Sequence, residues 1–494
     1  MEKFFLILVV GMIFFSPSDL SRETFRRVRR EPMGDEPIKE LSFVGLGRMG
    51  QGMAKRLRAQ GFRVIGVDIN QEAREELGGE TATSLREAIS QMPGRKVIWL
   101  MLPHEIRDER TGATKKPVDE TLSEIKDLLK PGDIIIDGGN IYYKDTIRRA
   151  EELKKIGVYL LDVGTSGGAR AAEERGLCFM VGGDKKAYQL IEPLLKALAW
   201  IDEKGIPQGY GWVGPPGTGH FVKAVVHNSI EYGFFQGLAE ILEILGKYFS
   251  WDIDKLRDLV ERAQNGPLSS WTLSLAEEVF SDKKHFEKIG PKIGGGEYGR
   301  WGMEAGKEFE VDTSVIASAV KVREDSLNIS PLSPGAFADR IIAGMRFYMG
   351  GHTYEELETP ITPEMLIRVR GTAEGIVKDR PEDFIDKVLK AVVLVWLEAL
   401  KEGYELMLKS PFEIDLKILS EINRIWKNGA VIRSYLVEQA EKYFRKGKSM
   451  AELINELLSE YKIDLMQIKY VLEVADRLNI PVPALKASMQ NLKP

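Results

Sequence analysis

A glycine-rich segment near the start of the chain has the residue spacing of a dinucleotide-binding loop. The segment Gly45-Leu46-Gly47-Arg48-Met49-Gly50 follows the apolar run Leu41–Val44 and leads into a stretch of helical pattern, residues 53–60. Such glycines permit a tight turn, a close approach of the backbone to a pyrophosphate, and close packing of helix on strand. The N-terminus of the helix offers free N–H groups to the phosphates. The pattern predicts a dinucleotide site, with a ligand-free glycine turn as the alternative.

An acidic residue after the next apolar run indicates which dinucleotide is bound. The run Phe62–Val67 ends at Asp68, 18 residues beyond Gly50. A carboxylate at this place accepts hydrogen bonds from a ribose 2′-hydroxyl and repels a 2′-phosphate. Ile69 follows directly, and the nearest arginine is Arg74. We therefore expect NAD rather than NADP, and with it hydride-transfer chemistry.

Three further segments place polar side chains beside glycines. They are Asp137-Gly138-Gly139-Asn140, Thr165-Ser166-Gly167-Gly168, and Lys223 followed by His227-Asn228-Ser229-Ile230-Glu231-Tyr232. Together with the nucleotide loop, these segments closely resemble the decarboxylating 6-phosphogluconate dehydrogenases over about residues 41–490. The wider β-hydroxyacid dehydrogenase superfamily shares the loop, a Ser-Gly-Gly-like turn and a lysine. The His-Asn-x-Ile-Glu-Tyr segment is what narrows the resemblance to one family.

The resemblance implies the oxidative decarboxylation of 6-phosphogluconate to ribulose 5-phosphate and carbon dioxide. Lys223 would take the proton of the 3-hydroxyl while hydride leaves C3 for the nicotinamide of NAD. A lysine near desolvating surface can be neutral enough to act as a base. Glu231 would then protonate the enediol carbon as general acid. No metal is implied, because the ketone of the β-keto acid accepts the electrons as carbon dioxide leaves.

The resemblance also implies a set of binding residues. Those for the sugar acid are Asn140, Ser166, Gly167, Gly168, His227, Asn228 and Tyr232, and those for the cofactor are residues 45–50, Asp68, Leu102 and Asn140. Arg323 would bind the phosphate together with Arg346 and His352, which belong to a tail that resembles one reaching into a neighbouring subunit's site. A homo-oligomer with shared active sites is therefore expected. Plainer roles are the alternatives: a surface lysine for Lys223, packing for His227, and a solvated loop for Arg346 and His352.

One residue too many separates the lysine from the asparagine. The family places the lysine four residues before the asparagine, whereas Lys223 and Asn228 are five residues apart. On a regular helix, at ~100° per residue, five steps leave the two side chains ~140° apart instead of ~40°. A single-residue π-bulge between Lys223 and Asn228 would absorb the extra residue and return both to one face. Similar one-residue differences from the family occur near Gly176 and in residues 296–301. They bear on catalytic activity more than on the fold.

The positions of these motifs require a sheet with helices on both faces. The runs Val97–Leu102 and Ile134–Asp137 are further strands of buried type, and helical segments lie between the strands. This alternation predicts an α/β Rossmann-like, doubly wound parallel sheet domain over residues 41–216. Ligands of such sheets lie at the carboxyl ends of the strands, where His104 and Asn140 fall.

The remainder of the chain predicts an all-α domain containing a duplicated helical unit. Periodicity is helical from residue 221 onward, and two stretches look alike: Trp251–Asp254 leading to Gly266, and Phe412–Asp415 leading to Gly429. An internal repeat of this size suggests two packed helical units. We divide them into residues 217–355 and 356–494, with a linker within residues 350–363. The second copy has no counterpart of Arg346 or His352 and is expected to serve structure or assembly.

The composition excludes several classes of site and partner. The chain has 494 residues, 69 Lys+Arg against 74 Asp+Glu, a formal charge of −5, five histidines and one cysteine, Cys178. This length suggests roughly two to four domains. A single cysteine excludes an intramolecular disulfide and any site built from several thiolates. The near-balanced charge gives no bulk attraction for nucleic acid. We expect no nucleic-acid or membrane partner for the mature enzyme.

The first 40 residues do not fit this picture and form a leader or a misassigned start region. Phe4–Phe15 is an apolar run of 12 residues, which suits a signal-peptide core and is short of the ~20 residues of a transmembrane helix. No A-x-A-like cleavage site follows it. We expect an upstream misassigned start, with Met33 as the true first residue, and a cytoplasmic enzyme. A processed leader is the alternative.

Two other activities remain open at this stage. The first is another β-hydroxyacid dehydrogenase, whose substrate carries no phosphate. The second is a catalytically silent NAD-binding protein that serves assembly, because the one-residue differences could have broken the site. Turnover of phosphorylated against unphosphorylated sugar acids separates these alternatives.

Overall fold

The computed structural model describes residues 37–491 except 109, 296, 351–353, 363–364 and 366–378. Most of the leader region and His352 therefore lie outside the described residues. The described part consists of a sheet domain followed by a helical half. Among these residues, no helix combines the length and the apolar composition that crossing a lipid bilayer requires.

The sheet domain is built on eight strands in the order β10-β9-β8-β7-β4-β1-β2-β3. The strands are β1 Glu40–Val44, β2 Arg63–Val67, β3 Thr81–Ala82, β4 Val97–Leu100, β5 Ile106–Arg107, β6 Thr114–Lys115, β7 Ile134–Asp137, β8 Tyr159–Ser166, β9 Cys178–Gly183 and β10 Tyr210–Gly214, of which β5 and β6 form a separate exposed hairpin. The register aligns Val44 with Leu100, and Leu100 with Asp137. The loops that follow β1, β4 and β7 therefore start at one edge of the sheet.

Seven helices accompany these strands. They are α1 Arg48–Ala59, α2 Gln71–Leu77, α3 Leu85–Ser90, α4 Pro117–Ile125, α5 Tyr143–Lys154, α6 Gly168–Glu174 and α7 Lys185–Leu198. Apolar side chains of β1 and β4 enter two separate cores, one on each face of the sheet: Phe43 and Trp99 face one core, and Val44 and Ile98 face the other. Burial on both faces is the reason why these strands read as continuous apolar runs.

The predicted doubly wound sheet is confirmed, and one pair of its strands departs from the parallel direction. β8 and β9 run antiparallel, with Leu161 opposite Gly183 and Ser166 opposite Cys178. The connection between them is the short segment that contains α6. A parallel crossover requires a dozen or more residues, so a connection of this length favours the antiparallel return. The other six pairings within the eight-stranded sheet are parallel.

The helical half contains one π-helix and fourteen α-helices among the described residues. They are α8 Thr218–His220, the π-helix Phe221–His227, α9 Asn228–Phe249, α10 Ile253–Ala263, α11 Trp271–Ser281, α12 Lys283–Phe286, α13 Glu297–Phe309, α14 Ser314–Asp325, α15 Ala336–Gly350, α16 Pro381–Lys409, α17 Leu416–Lys427, α18 Tyr435–Arg445, α19 Met450–Glu460, α20 Leu465–Arg477 and α21 Pro483–Asn491. The long helices α9 and α16 pack together. The rings of Phe234 and Trp396 stack with their centroids 4.5 Å apart, and the absence of side chains at Gly233 and Gly237 lets the two helices approach closely.

Contacts between the two helical units are reciprocal. Glu240 of α9 accepts from the backbone N–H groups of Ala484 and Leu485 at the start of α21. Glu402 of α16 accepts in the same way from Val315 and Ile316 at the start of α14. This exchange is the pattern of a twofold interface, in which each half uses the same surface. It agrees with the internal repeat expected from the sequence.

Candidate active site

The three glycines of the nucleotide loop meet three different surroundings. Gly45 has φ +92°, and a Cβ there would meet the Met101 carbonyl oxygen. A Cβ on Gly50 would meet the carbonyl oxygen of Gly45, whereas a Cβ on Gly47 would have no atom within 4 Å. Gly45 thus makes the turn, Gly50 allows the helix to pack, and Gly47 leaves open space at the start of α1. The loop therefore fits the pyrophosphate of a dinucleotide.

The open space at Gly47 leads to a prediction about cofactor affinity. Gly47→Ala adds a methyl group where the pyrophosphate would approach, with no clash inside the protein. We expect the Kd for NAD to rise by about tenfold or more, with little change in unfolding temperature. Calorimetric titration measures the Kd, and Gly94→Ala is the matched control, since Gly94 also has open space around it and an ordinary φ. Equal NAD affinity of the two variants would contradict this assignment.

Asp68 lies directly against the nucleotide loop. One carboxylate oxygen accepts from the Leu46 N–H at 2.7 Å and the other from the Asn70 N–H at 2.8 Å. Arg74 donates to the backbone carbonyl of Asp68 at 2.6 Å. Ile69 is almost fully exposed. Asp68 thus lies where the sequence predicted an acidic residue beside the nucleotide loop.

Leu102 and Asn140 lie in two neighbouring turns at the carboxyl edge of the sheet. The Gly138 N–H donates to the Leu100 carbonyl at 2.8 Å, and a Cβ on Gly139 would meet the Leu102 carbonyl oxygen. The Asn140 amide lies close to the hydroxyl of Tyr298, which α13 supplies. Both residues thus border the cleft between the sheet domain and the helical half, where the sequence predicted ligand binding.

A π-helix places Lys223 above Asn228, as the spacing predicted. The π-helix covers Phe221–His227, and the Asn228 N–H donates to the Lys223 carbonyl, which is an i to i−5 bond. The Lys223 ammonium in turn donates to Asn228 Oδ1. A π-turn places residues five apart one above the other, as an α-turn does for residues four apart. The extra residue is absorbed, and the prediction of a π-bulge is confirmed.

Burial shifts the pKa values of Lys223 and Glu231 in opposite directions. Both side chains are more than nine-tenths buried. Desolvation lowers the pKa of Lys223, and the charge of Glu231 opposes this effect. Desolvation raises the pKa of Glu231 against the charges of Lys223, Arg323 and Arg346. Burial therefore favours the neutral form of the amine and the protonated form of the carboxyl group, which are the forms that general base and general acid catalysis need.

His227 and Ser166 form a hydrogen-bonded chain that ends at the lysine. Ser166 Oγ lies 3.0 Å from His227 Nε2, and His227 Nδ1 lies 3.3 Å from Lys223 Nζ. His227 is fully buried, and desolvation together with the charge of Lys223 lowers its pKa well below the usual value. The Val431 N–H donates to Ser166 Oγ at 3.2 Å. Protein groups thus occupy both ring nitrogens of His227, which favours a positioning role.

Val431 belongs to the second helical unit, which the sequence assigned to structure or assembly alone. The unit therefore reaches the turn at Ser166, Gly167 and Gly168. Gly167 and Gly168 have φ values of +132° and +82°, and a Cβ on Gly168 would meet the Met349 carbonyl oxygen. The segment Trp426–Ser434, similar to a family motif, was the available sequence signal. Nothing in its residue types indicated which backbone N–H would point at Ser166.

Arg323 is a buried cation with an unused donor. Its guanidinium lies 3.6 Å above the ring of Tyr232, and its Nη1 has no hydrogen-bond partner among the described residues. Burial lowers the pKa of Arg323 to about 10. A fully buried guanidinium with a free N–H is unstable unless an anion or water completes it. The position is suited to a phosphate group.

The structure places Arg346 in the site of its own chain, whereas the resemblance implied a tail that reaches into a neighbouring subunit's site. Helix α15 packs against α9 and α11 and holds Arg346 in the site of its own chain, where its charge acts on Glu231, Tyr232 and Arg323. Its guanidinium donates to the carbonyl groups of Ile293 and Gly294.

Further residues of the site were not assigned roles from the sequence. Asp162 is fully buried and accepts from the N–H groups of Gly217 and His220, which fixes the start of α8. Trp301 of α13 contacts the rings of His104 and Tyr142 across the cleft at 5.0 and 5.1 Å. Among the described residues, no group of three or more histidine, cysteine or carboxylate side chains is arranged to hold a metal ion.

Comparisons with known proteins extend over nearly the whole described chain. Residues 40–206 match the family model described as the NAD binding domain of 6-phosphogluconate dehydrogenase, and residues 219–330 and 365–493 match that of the C-terminal domain of 6-phosphogluconate dehydrogenase. An NAD(+)-dependent, decarboxylating 6-phosphogluconate dehydrogenase of Haloferax volcanii is 32% identical over 320 residues, which cover 63% of this chain and 97% of that protein.

Longer relatives match along both helical units. A decarboxylating 6-phosphogluconate dehydrogenase of Synechococcus elongatus is 28% identical over 473 residues, covering 92% of this chain and 91% of its own length. An NADP(+)-dependent enzyme of Bacillus subtilis is 27% identical and covers 91% and 90%. The solved Plasmodium falciparum 6-phosphogluconate dehydrogenase has a TM-score of 0.72 at 23% identity, over 92% of this chain and 91% of that one, and so shares the fold.

Proposed function

We propose that this chain, which belongs to the 6-phosphogluconate dehydrogenase family, oxidises and decarboxylates 6-phosphogluconate. The observation that carries the proposal is the π-turn, because it brings Lys223 onto Asn228 despite the extra residue between them. The test is the formation of NADH and carbon dioxide from 6-phosphogluconate, measured against gluconate. Clear NAD binding without turnover of any sugar acid would favour a silent binding protein instead, and equal turnover of gluconate would favour another β-hydroxyacid dehydrogenase.

The proposed mechanism assigns the proton transfers at oxygen to Lys223 and the proton transfer to carbon to Glu231. Bound NAD supplies the hydride acceptor for C3 of the substrate. Lys223, whose neutral form burial favours, takes the proton of the 3-hydroxyl as the C3–H bond breaks and hydride leaves, so that the carbon becomes a ketone. The bond to the carboxylate then breaks, carbon dioxide leaves, and the electron pair forms the carbon–carbon double bond of an enediol as Lys223 returns its proton to the ketone oxygen. Glu231, whose protonated form burial favours, delivers a proton to the enediol carbon while Lys223 takes the hydroxyl proton back, which restores the ketone in ribulose 5-phosphate.

The remaining site residues are proposed to bind and orient the substrate. Asn140, Ser166, Gly167, Gly168 and Asn228 would hold the sugar acid, and Arg323, Arg346 and Tyr232 would surround the phosphate. Ser166 and Asn228 already bond within the protein, to His227 and Lys223 respectively, so their orientation is set before binding. Preorganised polar groups of this kind lower the barrier because they need no rearrangement during the reaction.

NAD is the proposed cofactor in preference to NADP. The support is Asp68 at the nucleotide loop and Arg74 bonded to a backbone carbonyl. We expect kcat/KM to be about a hundredfold higher with NAD than with NADP, since the carboxylate repels a 2′-phosphate. In Asp68→Ser this ratio should shrink, while activity with 6-phosphogluconate at saturating NAD stays close to wild type. Steady-state kinetics with both cofactors measures it, and a wild-type preference for NADP would contradict the proposal.

Assembly, domain limits and compartment are proposed on the family resemblance. We propose a homo-oligomeric cytoplasmic enzyme with domains at residues 41–216, 217–355 and 356–494. Arg346 lies in the site of its own chain, so the proposed oligomer no longer depends on that residue crossing between subunits. Size-exclusion chromatography with light scattering measures the number of subunits.

A further inference from the structure

His220 is a fully buried histidine that contacts three elements around the site. It is the last residue of α8, three residues before Lys223. Its Nε2 lies 3.1 Å from the carbonyl oxygen of Asp137 at the end of β7, and its Nδ1 lies 2.7 Å from the hydroxyl of Thr146 in α5. Its backbone N–H donates to Asp162 at 2.8 Å. The side chain therefore joins β7, α5 and the start of the helix that carries the lysine.

The partners of the ring determine its tautomer. A backbone carbonyl can only accept, so Nε2 must carry the proton and donate to Asp137. Nδ1 is then the acceptor, and the Thr146 hydroxyl donates to it. Desolvation lowers the pKa of His220 to about 4, which keeps the ring neutral and this arrangement intact at physiological pH. Both nitrogen atoms are used, so His220 has no free group for chemistry of its own.

The two bonds of the ring flank the turn that carries Asn140. Asp137 lies three residues before Asn140, and Thr146 lies six residues after it. Asn140 is proposed to contact both the cofactor and the sugar acid. The ring of His220 thus fixes the distance between this turn and Lys223 on the other wall of the cleft.

We propose that His220 is a positioning residue, which clamps the Asn140 turn to the helix of Lys223 so that hydride and proton leave the same carbinol group in alignment. This inference rests on the proposed oxidation of 6-phosphogluconate. Its physical basis is that the rate of transfer between two reacting groups falls steeply when the groups are displaced by even about 1 Å. The Asp162 carboxylate holds the same helix start through the backbone N–H groups of Gly217 and His220. Loss of the imidazole ring would therefore loosen the cleft without releasing α8.

The test compares His220→Leu with His220→Gln. Leucine removes both bonds, whereas the glutamine amide can place an N–H close to the position of Nε2 and restore the bond to Asp137. We expect kcat to fall about a hundredfold in the leucine variant, with the Kd for NAD nearly unchanged, and to recover to within about tenfold of wild type in the glutamine variant. Equal kcat in the two variants, or wild-type kcat in the leucine variant, would overturn the inference whatever the unfolding temperatures.

A second pair of variants and one spectroscopic measurement complete the test. Thr146→Val removes the donor to Nδ1 and should lower kcat, whereas Thr272→Val, a control at another fully buried threonine, should not. In full-length protein labelled with ¹⁵N-histidine, His220 should show an Nε2-protonated neutral ring at pH 7, and an Nδ1-protonated or charged ring would overturn the inference. A wild-type enzyme inactive on 6-phosphogluconate refutes the proposed function, and the ring measurement then still decides whether the clamp exists.

Discussion

Lys223→Met should lower kcat by about a thousandfold while leaving the Kd for NAD within about threefold of wild type. Methionine keeps the length and the packing of the lysine stem against Gly164 and removes only the amine. His227, which contacts Lys223, already shares both its nitrogen atoms with neighbours and is therefore not expected to replace the amine as base. The expected loss is therefore in the chemical step rather than in cofactor binding.

Single-turnover measurement of NADH formation with 6-phosphogluconate gives the rate of the chemical step, and titration with NAD gives the Kd as the binding control. Lys442→Met, at a half-exposed lysine of the second helical unit, serves as the matched substitution. A loss of less than tenfold in Lys223→Met would refute Lys223 as the base. A parallel loss of NAD affinity would show that the amine holds the fold of the site instead.

The pH dependence of the wild-type enzyme should follow from the same two groups. Lys223 acts as a base only when neutral, and burial lowers its pKa, so kcat/KM should fall as the pH decreases through that lowered pKa. Glu231 acts as an acid only when protonated, and burial raises its pKa, so activity should also fall as the pH rises through that raised pKa. In Glu231→Gln the alkaline fall should disappear together with most of the turnover.

Arg323→Ala should lower kcat/KM for 6-phosphogluconate by about a hundredfold. The arginine presents an unpartnered Nη1 from a fully buried position, and a phosphate would receive a charge-assisted hydrogen bond there. Activity toward gluconate, which lacks the phosphate, should change by much less. The difference between the two substrates separates lost recognition from general damage.

Arg300→Ala is the matched control, because Arg300 is an exposed arginine of α13 whose ion pair with Glu324 lies at the surface. Arg323→Lys distinguishes charge from geometry: lysine restores the charge but cannot stack on Tyr232 or offer a fork of donors, so most of the loss should remain. Equal losses for 6-phosphogluconate and gluconate would show that Arg323 supports the core instead of the phosphate.

The structure of local motifs could be predicted from the sequence, whereas contacts between distant segments could not. The nucleotide loop was predictable because the roles of Gly45, Gly47 and Gly50 depend on their own turn. The π-helix was predictable because a count of five residues between Lys223 and Asn228 has few helical solutions. The antiparallel β9 and the placement of Arg346 depend on how whole elements pack, and a resemblance between segments carries no such information.

The contribution of the second unit shows the same limit. The Val431 N–H reaches Ser166 from a segment 265 residues away in the chain. Every residue except proline has such a donor, so no residue type marks it in advance. His220 illustrates the limit from the other side: its residue type was visible, but its two partners, Asp137 and Thr146, are identified only by the packing of α5, β7 and α8.

The exchange of carboxylates between the helical units makes the proposed recognition of phosphate by Arg323 depend on residues far from that arginine. Glu402, in the second unit, holds the first N–H groups of α14, and Arg323 lies in the last turn of that same helix. Loss of the Glu402 carboxylate alone would leave these N–H groups buried without an acceptor and free the helix to shift along its axis. We therefore expect a substitution at Glu402 to change substrate affinity without touching the site.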